Sequence, residues 1–126
     1  MFSHVMVGAN NIEKAKAFYD AALGALEHKP GVIDEKGRCF YITNSGVFII
    51  TKPINGEPAC HANGGTIGFS ANNTGEVDAW HSAGLENGGI RCEDLPGIRE
   101  APVGKLYIAY LRDPDGNKVC AVHKVK

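Results

Sequence analysis

Residues 9–23 read ANNIEKAKAFYDAAL, and residues 71–85 read ANNTGEVDAWHSAGL. Both stretches begin with the same three residues, at an offset of 71 − 9 = 62. Asparagine is a strong helix N-cap, and the residues that follow return at the spacing of one helix face. The matched pairs on that face are Ala15 and Val77, Phe18 and Trp80, Tyr19 and His81, and Leu23 and Leu85. The chain is therefore predicted to contain one unit twice.

Short strands complete each predicted unit. One strand precedes each helix, at about residues 2–7 and 66–71, and three follow it. The following strands are expected at about 32–34, 38–43 and 47–52, and at about 90–93, 105–112 and 118–123. Residues 53–65 hold two prolines and three glycines and predict a linker.

This order predicts a single α+β domain over residues 1–126. It consists of two paired βαβββ modules, at about residues 1–55 and 64–126, whose mixed curved sheets enclose a cleft. Concave clefts of this kind bind small molecules. A ferredoxin-like βαββαβ order, with two strands after the first helix, is the alternative fold.

Composition narrows the function classes. The chain is 44% hydrophobic, which is enough for a core without metal or disulfide support. With 13 basic and 14 acidic residues, its net charge of −1 gives no reason to expect nucleic acid or a membrane surface as partner. No basic leader or membrane-length apolar stretch is visible. The four cysteines form no CxxC pair and are interpreted as reduced thiols, which indicates a cytoplasmic protein.

Two motifs resemble the vicinal oxygen chelate superfamily, which includes glyoxalase I, extradiol dioxygenases and bleomycin-resistance proteins. The first motif is HVMV at residues 4–7 with IEKA at 12–15 and FY at 18–19. The second is YLRDPDGNK at 110–118, whose DPDG is also a strong turn signal. The resemblance implies paired βαβββ modules, a homodimer, and a small-molecule site at a module or subunit interface, with lyase- or dioxygenase-like chemistry.

Metal-dependent members of that superfamily carry four ligands, usually His, Gln or Glu. The resemblance assigns these positions to His4, Ile49, Thr66 and Cys120. Isoleucine cannot bind a metal, a threonine hydroxyl is a poor ligand, and catalytic zinc usually has three protein ligands. No carboxylate is present to act as the proton-transfer base of glyoxalase chemistry, or to complete a 2-His-1-carboxylate iron site. We therefore expect no cofactor, with a divalent metal at His4 as the alternative.

The same four residues and Tyr107 are the candidates for lining the pocket. Tyr107 and Tyr110 are three apart on one predicted strand, so they point to opposite faces and one of them enters the cleft. Cys60 and His61 lie in the linker, from which they could reach the cleft. His81 is interpreted as a packing residue because it matches a tyrosine in the repeat.

Three functions remain open on the sequence. The first is a glyoxalase-like enzyme with His4, and with Cys120 as a second candidate, in its cleft. The second is a metal-free protein that binds a small drug or metabolite, as in the drug-sequestering members of the superfamily. The third is a structural dimer without a ligand.

Overall fold

Each half of the chain forms its own mixed sheet in the computed structural model, which describes residues 1–126. The first half contains four strands and one helix in the strand order β1-β4-β3-β2, with β1 parallel to β4. Its elements are β1 (His4–Gly8), α1 (Ile12–Gly24), β2 (Val32–Ile33), β3 (Cys39–Thr43) and β4 (Gly46–Thr51). The sheet is therefore the predicted βαβββ unit, and the ferredoxin-like alternative is wrong because three strands follow the helix.

The second half repeats this arrangement with one strand more. Its order is β5-β9-β8-β6, with β5 parallel to β9, and β7 pairs with β8 beside that path. The elements are β5 (Ile67–Ser70), α2 (Thr74–Glu86), β6 (Ile90–Arg91), β7 (Gly97–Ala101), β8 (Gly104–Arg112) and β9 (Lys118–Val125). Strand β7 was not predicted. It pairs with the first residues of β8, whereas β6 pairs with its last two.

The predicted helix starts are confirmed at both copies. The Asn11 side chain accepts a hydrogen bond from the Lys14 amide (3.0 Å), and that of Asn73 accepts one from the Glu76 amide (2.8 Å). Both helices begin and end at the offset of 62. The extended N-cap backbone and the side-chain acceptor satisfy a helix amide that has no intrahelical partner.

The core lies between the two helices and the sheet faces that they cover. Phe18, Tyr19 and Trp80 are fully buried in it, and His81 is 7% exposed. The DPDG turn joins the halves through Asp113, which is 1% exposed and accepts a hydrogen bond from the Tyr19 hydroxyl at 2.6 Å. The side chain of Asn117 in the same turn donates to the Gly8 carbonyl of β1 (3.1 Å). The second motif of the resemblance therefore fastens one half to the other.

Each sheet has one face covered by its helix, and we call the opposite side its open face. In the first sheet, Phe48 and Ile50 belong to the buried core with α1, so the alternate residues Val47, Ile49 and Thr51 belong to the open face. Neither α1 nor α2 has the length and hydropathy of a membrane-spanning helix.

Candidate functional site

The open face of the first sheet is mainly apolar. Strand register sets Met6 beside Ile49, and Ile49 beside Phe40. Ile49 is only 4% exposed, whereas Met6 is 43% and Ile42 72% exposed. Ile49 thus forms the floor of an apolar surface whose margin faces solvent.

His4 lies at the edge of this surface. It pairs in register with Val47 on β1 and β4, and its side chain is exposed. Its Nδ1 is 2.8 Å from the Ser3 hydroxyl. The imidazole is therefore accessible, and a neighbouring hydroxyl orients it.

The open face of the second sheet has a polar and ionic cluster at the equivalent place. Cys120 pairs with Tyr110 on β8 and with Gly68 on β5. Next to it, Lys118 forms an ion pair with Glu93, and its ammonium lies 4.9 Å from the centroid of the Tyr110 ring. Burial raises the pKa of the Cys120 thiol to about 11, so this sulfur is protonated at neutral pH.

The two tyrosines of β8 lie on opposite faces, as their spacing predicts. Tyr107 lies on the helix side, where its hydroxyl donates to Asp78 Oδ1 of α2 at 2.7 Å. This bond is the main cause of the raised pKa of Tyr107. Tyr110 is the tyrosine on the same face as Cys120.

Thr66 lies just before β5 in a small cavity of about 260 Å³. The cavity separates β1 from the start of the second half, and Met6, Cys60 and Lys118 also line it. The linker therefore reaches the sheet edge through Cys60. His61 packs elsewhere, against the DPDG turn, where a Cβ on Gly116 would lie 3.4 Å from its Nδ1.

A larger, open cavity of about 980 Å³ lies where β1 and β4 end. Met6 and Thr51 extend the open face of the first sheet into it, and the turn between β2 and β3 and the first linker residues form its sides. The cationic side chains on its lining are Lys36, Arg38 and Lys52. Sequence reasoning missed these residues, because only the folded topology brings that turn next to the linker.

The four residues at the positions of the superfamily's metal ligands offer few donor atoms for a metal ion. The chain brings together no group of three His, Cys, Asp or Glu side chains that could hold an ion. Ile49 has no donor atom, Thr66 offers a hydroxyl, and the Cys120 sulfur is held as a thiol by burial. One accessible imidazole remains, which is fewer than the three protein ligands typical of catalytic zinc.

The fold and this geometry agree with the comparisons. The family model described as the Glyoxalase/Bleomycin resistance protein/Dioxygenase superfamily matches residues 1–121. No protein of curated function matches the chain. A glyoxalase/bleomycin resistance protein from Albidiferax ferrireducens T118 has a crystal structure similar to this one, with 58% identity and a TM-score of 0.95 over 98% of this chain and 99% of that one.

Two more distant structures share the fold. A lactoylglutathione lyase from Agrobacterium tumefaciens is 26% identical, with a TM-score of 0.65 over 98% of this chain and 92% of that one. A glyoxalase/bleomycin resistance protein/dioxygenase family enzyme from Burkholderia phytofirmans PsJN is 15% identical, with a TM-score of 0.72 over 98% of both chains. The chain belongs to the glyoxalase/bleomycin resistance protein/dioxygenase superfamily, as the sequence motifs indicated.

Proposed function

We propose that this member of the superfamily binds a small organic molecule on the open face of its first sheet, without a metal ion. The observation that carries the proposal is Ile49, a buried alkyl side chain at a position where metal-dependent members have a ligand. Its register partners Met6 and Phe40 extend the apolar surface around it. Apolar surface with a few polar groups at its margin is typical of small-molecule sites.

The polar groups come from the margin of the same face and from the adjoining cavity. Thr51 and the exposed His4 can each form a hydrogen bond with a ligand. The cavity at the end of β1 and β4 has about 980 Å³, near the upper end of ordinary ligand sites. The open face can thus contact the apolar part of a ligand, and the margin and the cavity can contact its polar substituents.

The homodimer implied by the resemblance is part of this proposal. Val32 and Ile42 are 66% and 72% exposed on the open face, and exposed apolar patches mark interaction surfaces. A second copy covering this edge would complete the cleft.

In light scattering on a sizing column, Ile42→Lys should shift the protein toward the monomer mass. The matched control, Val103→Lys at the exposed β7–β8 turn, should leave the mass unchanged. A wild-type monomer would refute this part.

A reducing, cytoplasmic setting fits the same proposal. All four cysteines are free thiols, and two of them, Cys39 and Cys120, are buried. Disulfides are rare in reducing compartments.

A thermal-shift screen tests the binding proposal. Protein treated with EDTA is heated with a library of small organic molecules and, separately, with divalent metal ions. At least one organic molecule should raise the melting temperature, because ligands that bind only the folded state stabilise it. The metal ions alone should not. Stabilisation by a metal and by no organic molecule would contradict the proposal.

A glyoxalase-related lyase is the second candidate, and the accessible His4 imidazole favours it as an acid or base. The Agrobacterium tumefaciens structure is described as a lactoylglutathione lyase. Turnover of the hemithioacetal of glutathione, with and without divalent ions, tests this candidate. Activity that disappears in His4→Ala would support it, whereas no turnover under any metal condition would exclude it.

A further inference from the structure

The cavity at the end of β1 and β4 has more cationic than acidic side chains on its lining. Lys36 and Lys52 line it and form none of the ion pairs in the structure. The third cation, Arg38, is held by Asp34 through hydrogen bonds from Nε (2.9 Å) and Nη2 (2.7 Å). The Arg38 guanidinium also lies 5.2 Å from the centroid of the Phe40 ring. Arg38 is therefore a fixed part of the cavity wall, whereas the two lysines are available to a ligand.

The same cavity exposes large apolar side chains. Ile33 is 40% and Ile54 107% exposed, and both line it together with Met6. Covering such surface favours binding, because it removes apolar area from water. The lining of the cavity thus combines exposed apolar side chains with ammonium groups.

One acidic side chain limits the charge that the cavity can accept. Glu13, in the first turn of α1, is the only acidic residue on its lining. Because Arg38 is paired with Asp34, Lys36, Lys52 and Glu13 leave the lining with a net charge of +1. One negative charge on a ligand balances this net charge, whereas a second would have no partner and would be repelled by Glu13.

We infer that the ligand of this site is a small monocarboxylate with an apolar body, whose carboxylate is bound between Lys36 and Lys52. This inference rests on the proposed function, because Met6 and Thr51 belong both to the cavity and to the open face. It adds the chemical class of the ligand.

Calorimetry with a matched pair of probes tests the inference. We would titrate 4-phenylbutyrate and its uncharged analogue 4-phenylbutanamide into the protein at low ionic strength, where exposed charges are least screened. The carboxylate should bind about tenfold more tightly than the amide, as two exposed ion pairs can supply. The double variant Lys36→Glu/Lys52→Glu should abolish this preference.

The control variant is Lys29→Glu/Lys126→Glu, which changes the net charge equally at two exposed lysines outside the cavity. It should keep the preference for the carboxylate. Equal binding of both probes to the wild type would overturn the inference and leave the proposed function standing, since the amide still binds. A preference that survives in the Lys36→Glu/Lys52→Glu variant would also overturn it. If no molecule of the thermal-shift screen binds, the proposed function fails as well.

Discussion

The two halves of the molecule share one frame but differ on their open faces. Met6, Ile49 and Phe40 form a cross-strand row in the first sheet, and the equivalent row in the second sheet is Gly68, Cys120 and Tyr110. The neighbouring row of the first sheet consists of His4, Val47 and Ile42. The equivalent positions of the second half hold Thr66, Lys118 and Arg112. An apolar surface in one half thus corresponds to a polar and ionic one in the other.

The helix-covered faces show no such divergence. Both helices keep their length, their asparagine caps and their buried aromatic residue, Phe18 or Trp80. Packing density constrains residues in a closed core, because even one methylene changes stability. The open faces lie outside this helix-covered core, so a ligand or partner can contact their residues. This difference is why we assign function to the open faces.

The largest expected effect is on the free energy of unfolding, and it comes from removing the side chain of Asp113, which links the two halves. Besides Tyr19, the side chain of Asp113 accepts bonds from the Asn117 side chain and from the backbone amides of Asp115 and Asn117, at 2.9 Å each. Asp113→Ala leaves these buried donors unpaired and should cost about 3–5 kcal/mol of unfolding free energy in urea denaturation. Tyr19→Phe removes one donor and should cost about 1–2 kcal/mol. Equal losses for the two variants would contradict the role of Asp113 as the centre of this contact.

The rate at which cysteines are labelled should differ between the open face of the second half and the linker. Because the pKa of Cys120 is raised to about 11, iodoacetamide at pH 8 should label it very slowly. A thiol with that pKa has roughly two hundred times less thiolate at pH 8 than one with a pKa near 8.5. Mass spectrometry of the labelled peptides should show Cys60 modified first, because its side chain is exposed. Labelling of Cys120 at the rate of Cys60 would show that the second open face is not packed as described.

A glycine in α2 distinguishes the packing of the two helices. A Cβ on Gly84 would lie 2.3 Å from Leu111 Cδ1 and 3.1 Å from Phe18 Cε1, whereas one on Gly24 would meet nothing within 4 Å. Gly84→Ala should thus lower the melting temperature, with an overpacking cost of about 1–3 kcal/mol. The matched change Gly24→Ala should raise it slightly, because alanine favours the helix. A stabilising Gly84→Ala would contradict the close contact.

The smallest expected effects on stability come from removing a tyrosine–aspartate hydrogen bond, of which each half contains one. The Tyr41 hydroxyl donates to Asp20 of α1, and the Tyr107 hydroxyl to Asp78 of α2, both at 2.7 Å. Tyr41 is buried and Tyr107 is only partly so. Tyr41→Phe should cost about 1 kcal/mol in urea denaturation, and Tyr107→Phe less than about 0.5 kcal/mol, because water replaces an exposed hydrogen bond. The opposite order would show that burial does not set the strength of this bond.

The sequence allowed the repeated frame to be predicted because its signals are local. Asparagine caps, helical spacing and turn residues act within a few positions of the chain. Strand β7 was not predicted because it belongs to an insertion in the second half relative to the first. Equivalent residues of the two halves are 62 positions apart in the first strand and the helix, but 118 − 47 = 71 positions apart in the last strand. The second half therefore has nine more residues between its helix and its last strand. The segment GIREA has no regular apolar alternation, and its pairing depends on the extended β8.

The candidate site was less accessible to sequence reasoning. Spacing indicates that Tyr107 and Tyr110 face opposite ways, but only the position of α2 decides that Tyr107 lies on the helix side. Lys36 and Lys52 are 16 residues apart in segments without a motif. Their approach depends on the pairing of β3 with β4, which is a property of the whole sheet.

The most direct test of metal-independent binding on the first open face is amide chemical-shift mapping by NMR. The sample would be 15N-labelled protein that has been stripped of metal with EDTA and exchanged into buffer without EDTA, and it would be titrated with the tightest binder from the thermal-shift screen. We expect shift changes centred on Met6, Ile49 and Thr51, with the same affinity after zinc is added. Shift changes that require zinc and centre on His4, or that avoid the first sheet altogether, would contradict it.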